Sequence, residues 1–150
     1  MQAFPHKYSV SADAALAGEI ALVSDGLPVL SAAPPPEFDG PGGRWSPETL
    51  LVAAVASCYV LTFRAVATVG RLPWISLRCD VRGDVTRVDR VTQFTEFHLL
   101  VRLTVEPGTD EDQARQLLAR AKHACLVTHS LKAPFVLDAE VDVAAPALSA

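Results

Sequence analysis

The spacing of apolar and polar residues changes several times along the 150-residue chain, and each change marks an element. Between Lys7 and Leu30, short β-prone runs ("KYSVSAD", "EIALVS", "VLSA") are separated by turn signals such as "DGLP", which predicts a small antiparallel meander. "AAPPPEFDGPGGRWSP" carries too much proline and glycine for a helix or a central strand and predicts a loop. Ser46-Pro47-Glu48 then supplies a hydroxyl cap, a proline at the first helical position and an acid in the first turn. A long helix is predicted from here to about Val69, with Gly70 as its stop. "WISLRCDVRGDV" puts Ile75, Leu77, Cys79 and Val81 on one face and Ser76, Arg78, Asp80 and Arg82 on the other, the pattern of a half-buried strand. "TQFTEFHLLVRLTVE" repeats that alternation, "GTDEDQARQLLARAKHAC" reads as a capped amphipathic helix, and "FVLDAEVDV" is a last alternating strand. Strands, long helix, two strands, helix, strand: the order predicts an α+β fold, in one domain spanning residues 1–150.

The long helix is apolar nearly all round, and Ala53, Ala54, Ala56 and Ser57 are small on more than one side. Such a helix needs cover on every face, and the chain offers one other good helix, so a second copy is the expected cover and a homodimer the expected state. Its most apolar stretch, Thr49 to Phe63, is shorter than the roughly 20 residues of a bilayer span and ends at Arg64, which predicts a buried core helix and no membrane partner. A net charge of -4, a pI near 5.5 and the lack of any Lys/Arg run speak against nucleic acid as a partner. "MQAFPHKYSV" lacks the pattern of a secretory signal, so cytoplasmic residence is the expectation.

Three cysteines carry the candidate chemistry. An odd number in a chain of this kind argues against a disulfide framework, and no CxxC pair supports a structural zinc site. Cys58 lies mid-helix with Ser57 and Thr62 as its mildly polar neighbours, and either fills space or reacts. Cys79 falls on the apolar face of a strand. Cys125 falls at a helix end, where partial access to solvent is common. His123 and His129 flank it, but their spacing fits no known ligand pattern and surface histidines at helix ends are common; no metal is expected.

"SPETLLVAAVASC", followed much later by the cysteine of "ACLVTHSL", resembles the OsmC/Ohr family, the osmotically inducible protein C and organic hydroperoxide resistance proteins; the resemblance runs from about Glu37 to Val143. It implies an intertwined homodimer with antiparallel sheets around central long helices. It also implies that Cys58 is a peroxidatic thiol acting on organic hydroperoxides and Cys125 the thiol that resolves it. Glu48 matches the family glutamate that helps hold an activating arginine. No cofactor is bound in such proteins, and an external dithiol of lipoyl type is the expected reductant.

The chemistry fits: a thiolate attacks the O–O bond, becomes sulfenic acid and condenses with a second thiol to a reducible disulfide. An apolar surround raises a thiol pKa, so a nearby cation is expected to offset it. The family arginine is missing, because the matching position falls at about Glu37 and no arginine precedes Arg44. Arg44, four residues before Glu48, is the expected substitute, with Phe38 and Trp45 as expected pocket walls. The alternative from another class is the same fold as a non-catalytic binder of a small apolar ligand or a redox sensor.

Overall fold

The computed structural model describes residues 3–145. The chain resolves into two compact units, one up to Leu51 and one from Val52 on.

The first unit holds the expected meander: β1 (Ser11–Asp13), β2 (Ile20–Val23) and β3 (Leu30–Ala32) pair antiparallel in that order. The strands are shorter than the β-prone runs, and Tyr8, Val10, Leu27 and Val29 are left exposed. The proline-rich loop after β3 is ordered by its own backbone. A 3₁₀ turn spans Pro36–Phe38, the Gly40 amide donates to the Pro35 carbonyl at 3.0 Å, and the Ala33 amide donates to the Trp45 carbonyl at 2.9 Å. A Cβ at Gly40 would sit 1.7 Å from the Pro34 carbonyl oxygen, so only glycine allows this backbone approach.

Helix α1 (Pro47–Gly70) starts at the expected cap. The Thr49 amide donates to Ser46 Oγ at 3.2 Å and the Ser46 amide to Thr49 Oγ1 at 2.8 Å, a reciprocal box that satisfies two end donors. At the other end Arg71, not Gly70, adopts the left-handed conformation, with φ 52°. The Leu72 amide donates to the Ala67 carbonyl and the Arg71 amide to the Thr68 carbonyl, which closes the helix in a Schellman arrangement. Gly70 serves instead as a point of close approach: a Cβ there would lie 2.8 Å from Leu117 Cδ1.

The helix runs through Arg64 to its expected end, and its 24 residues are long and apolar enough to cross a bilayer by length and composition. The expectation of a buried core helix is corrected, because only 28% of its most apolar stretch is buried within the chain. One stripe, Val55, Tyr59, Phe63, Val66 and Ala67, is covered, while Leu61 and Val69 are exposed.

In the second unit, β4 (Trp74–Val88) and β5 (Val91–Val105) form a long antiparallel hairpin, closed by Asp89 and Arg90 with the positive φ angles that a two-residue hairpin turn requires. β6 (Phe135–Val143) pairs with β5 in parallel, where antiparallel sheets were expected. The reason is the crossover: α2 (Glu111–Ala124) lies between β5 and β6 and returns the chain in the same direction. A register shift between Trp74 and Ser76 also takes Ile75 off the apolar face, and it is exposed.

Phe97, Leu99, Val101, Leu103 and Val105 of β5 are buried at the centre of this core. Phe94, Phe97 and Phe135 stack with centroids 5.0 and 4.9 Å apart, over Gly83. α2 is capped by Asp110, whose carboxylate accepts from the amides of Asp112 and Gln113. It is tied to α1 by the Tyr59 hydroxyl, which donates to the Leu118 carbonyl at 3.1 Å, and by Gln113 Nε2, which donates to the Gly70 carbonyl at 2.9 Å.

Candidate functional site

The sequence places Cys58 and Cys125 sixty-seven positions apart, and the second unit brings them close enough for each thiol to shift the ionisation of the other. Cys58 sits at the middle of α1, half-buried. Cys125 ends α2 and begins the one-turn helix α3 (Leu126–His129), so the amides of Leu126, Val127 and Thr128 have no intrahelical carbonyl to bond. Contrary to the partial access expected at a helix end, Cys125 is completely buried. Thr128 holds the junction: its hydroxyl donates to the Cys125 carbonyl at 2.9 Å.

Burial is the largest influence on the Cys58 thiol and acts to raise its pKa, but the net direction is down. The Val127 amide, the Cys125 thiol, the Thr62 hydroxyl and the Leu126 amide all stabilise the thiolate and together outweigh desolvation. Thr62, one turn along α1, reaches the sulfur at 4.0 Å. All four groups belong to α1 or to the α2–α3 junction. The sequence marks Thr62 through its four-residue spacing from Cys58; the two amides leave no trace in residue type.

Cys125 moves the other way. Burial raises it first, and donation to Cys58 together with the proximity of that charge raises it further, against the opposing help of Thr128. The two shifts are opposed, so of the pair Cys58 is the thiol that ionises more readily and Cys125 the one that holds its proton.

Beside Cys58 lies an open cleft of about 510 Å³, lined by Ala54, Ser57, Leu61, Thr62, Ala65 and Val127. Its walls are mostly apolar. Cys79, on the core face of β4, is pushed up to about 11 by burial, with Asp80 and Cys125 adding to it, and is a thiol at neutral pH.

The remaining expected site residues lie in the first unit or at the start of α1. Glu48, Phe38, Ile20, Ala33, Pro34, Pro35 and Pro47 line an apolar pocket of about 240 Å³. Glu48 Oε2 is buried there with no hydrogen-bond partner. Arg44 is engaged elsewhere: its Nε donates to Glu19 Oε1 at 2.5 Å and its Nη1 to the Gly43 carbonyl at 3.0 Å. The Ser31 hydroxyl and then the Arg44 guanidinium hold the Glu19 carboxyl below its usual range. Trp45 lines a separate cleft with Arg44, Ser31, Gly43 and Thr49, so Phe38 and Trp45 do not share one pocket. His129 and His123 meet through a ring nitrogen and a backbone carbonyl 2.5 Å apart, a local closure of the α2 terminus.

A family model described as "OsmC-like protein" matches residues 40–140. The chain belongs to the OsmC-like family. Among curated proteins it is 26% identical over 130 residues to the uncharacterized protein YmaD of Bacillus subtilis (strain 168), covering 83% of this chain and 85% of that one. Among solved structures it resembles an OsmC-like protein of unknown function from Vibrio cholerae, with a TM-score of 0.84 at 17% identity over 91% of this chain and 100% of that one. It also resembles the organic hydroperoxide resistance protein OhrB of Bacillus subtilis, with a TM-score of 0.65 at 18% identity over 93% and 98% of the two chains. At these identities the structural likenesses speak for the fold: an OsmC-like α+β fold with a long apolar helix.

Proposed function

We propose that this OsmC-like protein is a thiol-dependent peroxidase that reduces organic hydroperoxides, with Cys58 as nucleophile and Cys125 as resolving thiol. The observation that carries the proposal is the opposed shift of the two paired thiols, Cys58 down and Cys125 up, beside a mostly apolar cleft. The names of structural relatives such as OhrB support the same substrate class.

The Cys58 thiolate attacks the terminal oxygen of ROOH, the O–O bond breaks, and the departing alkoxide takes up a proton to leave as ROH. Cys58 is left as a sulfenic acid, oxidised by two electrons. Charge then reorganises the pair. Part of what keeps Cys125 protonated is the Cys58 thiolate beside it, and that contribution vanishes once Cys58 is a neutral sulfenic acid. Cys125 ionises more readily at the moment its thiolate is needed, attacks the Cys58 sulfur and expels water, forming the Cys58–Cys125 disulfide. An external dithiol of lipoyl type returns both thiols by exchange.

Arg44 and Glu48 enter as substrate-responsive groups. Glu48 has one buried oxygen without a partner, and Arg44 is the nearby cation in sequence, held at rest by Glu19. Exchange of Arg44 from Glu19 to Glu48 on substrate binding would satisfy that oxygen. The test is a peroxidase assay with cumene hydroperoxide and a dithiol donor. Cys58→Ser is expected to abolish reduction, and Cys125→Ser to retain the first alcohol released while losing steady turnover. Full turnover by Cys58→Ser refutes the assignment.

A further inference from the structure

A second cluster of donors lies on the opposite face of the β4–β5 hairpin from the thiols. Alternation along β5 sends Phe97 into the core and therefore puts Glu96 and His98 together on the outer face. The hairpin register sets Asp84 opposite Glu96 and Arg82 opposite His98. His98 Nε2 lies 2.6 Å from Glu96 Oε2 and 3.5 Å from Asp84 Oδ2, and one ligand atom from each of the three residues falls within 4.8 Å of the others.

Two carboxylates facing each other across a strand pair repel, and a hairpin has no structural need of that arrangement. Just beyond them the ladder shifts register, and Thr95 Oγ1 donates to the Asp84 carbonyl at 3.2 Å, so the backbone that carries Glu96 is fixed to the backbone that carries Asp84.

We propose that Asp84, Glu96 and His98 form a binding site for one divalent first-row transition ion, such as Mn²⁺ or Zn²⁺. Such ions take imidazole nitrogen and carboxylate oxygen at about 2.0–2.2 Å, which calls for ligand atoms roughly 3 Å apart, close to the spacing already present. Three protein ligands leave the remaining positions to water, since all three residues are partly exposed. The ion would clamp β4 to β5 beside the register shift and relieve the repulsion of the two carboxylates.

One group on the same face opposes it. Arg82 donates to both oxygens of Asp84, at 3.0 and 3.3 Å, and must release one for the ion to bind. The other ion pairs on this face, Arg78 with Asp80 and Arg102 with Glu140, are closed among themselves at 2.7 and 3.2 Å. The site is a hard, mixed N/O set and is distinct from the thiols.

Mn²⁺ is the probe, because thiolates discriminate against it. The full-length reduced protein is titrated and free Mn²⁺ is followed by electron paramagnetic resonance. One saturable site per chain is expected, weakened by at least about tenfold in both His98→Ala and Glu96→Gln. Arg82→Gln, which frees Asp84, is expected to bind more tightly than the parent, a change that scattered surface binding would not produce. Mn²⁺ should also raise the unfolding temperature of the parent and not that of His98→Ala. Non-saturable binding, or equal affinity in the parent, His98→Ala and Glu96→Gln, overturns the proposal.

Discussion

At the scale of single residues, neutral donors lower the pKa of a thiol inside an apolar helix. Burial alone would lift Cys58 above the ordinary thiol value of about 8.5; the amides of Val127 and Leu126, the Cys125 thiol and the Thr62 hydroxyl reverse the direction. Alkylation of Cys58 by iodoacetamide against pH reads this balance when Cys79 is replaced by serine. Thr62→Val removes one donor and is expected to move the Cys58 midpoint to higher pH. Arg44→Met is expected to leave the midpoint in place and to lower kcat/KM for bulky hydroperoxides, because its guanidinium is bound to Glu19 at rest. A higher midpoint in Arg44→Met would mean that Arg44 sets the thiol pKa, as the sequence suggested. Cys58 and Cys125 were legible as candidates from their motifs. The backbone donors were not, since an amide at a helix start has no residue type of its own. The cluster of Asp84, Glu96 and His98 was hidden for a related reason: Glu96 and His98 alternate visibly, but Asp84 joins them only through the hairpin register.

At the scale of elements, alternation and capping signals located the two long helices and the main strands, because each rests on local periods and end chemistry, while the short turns Pro36–Phe38 and Leu126–His129 carried no such signal. Ser46 at the start of α1 and the acidic start of α2 are examples. The errors arose where tertiary geometry decided. Gly70 was expected as the stop, but Arg71 takes the left-handed position, and Gly70 instead gives room to Leu117. β6 came out parallel because the crossover through α2 sets its direction. Gly83 illustrates a further packing demand: a Cβ there would lie 2.7 Å from one Phe94 ring carbon and 3.0 Å from one of Phe97, both held in the aromatic stack. Gly83→Ala is expected to lower stability by about 1–3 kcal/mol through overpacking. Asp110→Ala, which removes the α2 cap, is expected to cost about 1 kcal/mol. Urea midpoints at constant slope measure both, and an unchanged midpoint for Gly83→Ala would show that the rings yield freely.

At the scale of the whole molecule, the apolar surface left on α1 and beside the strands of the first unit asks for cover that the described residues do not supply. Leu61 and Val69 of α1 are exposed in the second unit, and Tyr8, Val10, Leu27 and Val29 near the meander are exposed in the first. A second copy is the proposed cover, and on that proposal the protein is a homodimer. Sedimentation at micromolar concentration is expected to give a dimer with no detergent present. A stable monomer, or a chain that stays dispersed only in detergent, would require a different partner for α1.

The central claim is that Cys58 and Cys125 are one redox unit, and it is tested most directly by a single turnover. Fully reduced protein is mixed with one equivalent of cumene hydroperoxide without reductant, quenched by alkylation, and analysed by non-reducing peptide mapping together with alcohol release. Expected is one alcohol formed for each Cys58–Cys125 disulfide, with Cys79 recovered as an alkylated thiol. Intact hydroperoxide with all three thiols alkylated, or a disulfide that includes Cys79, would contradict it and leave the binding-protein alternative as the better description of the fold.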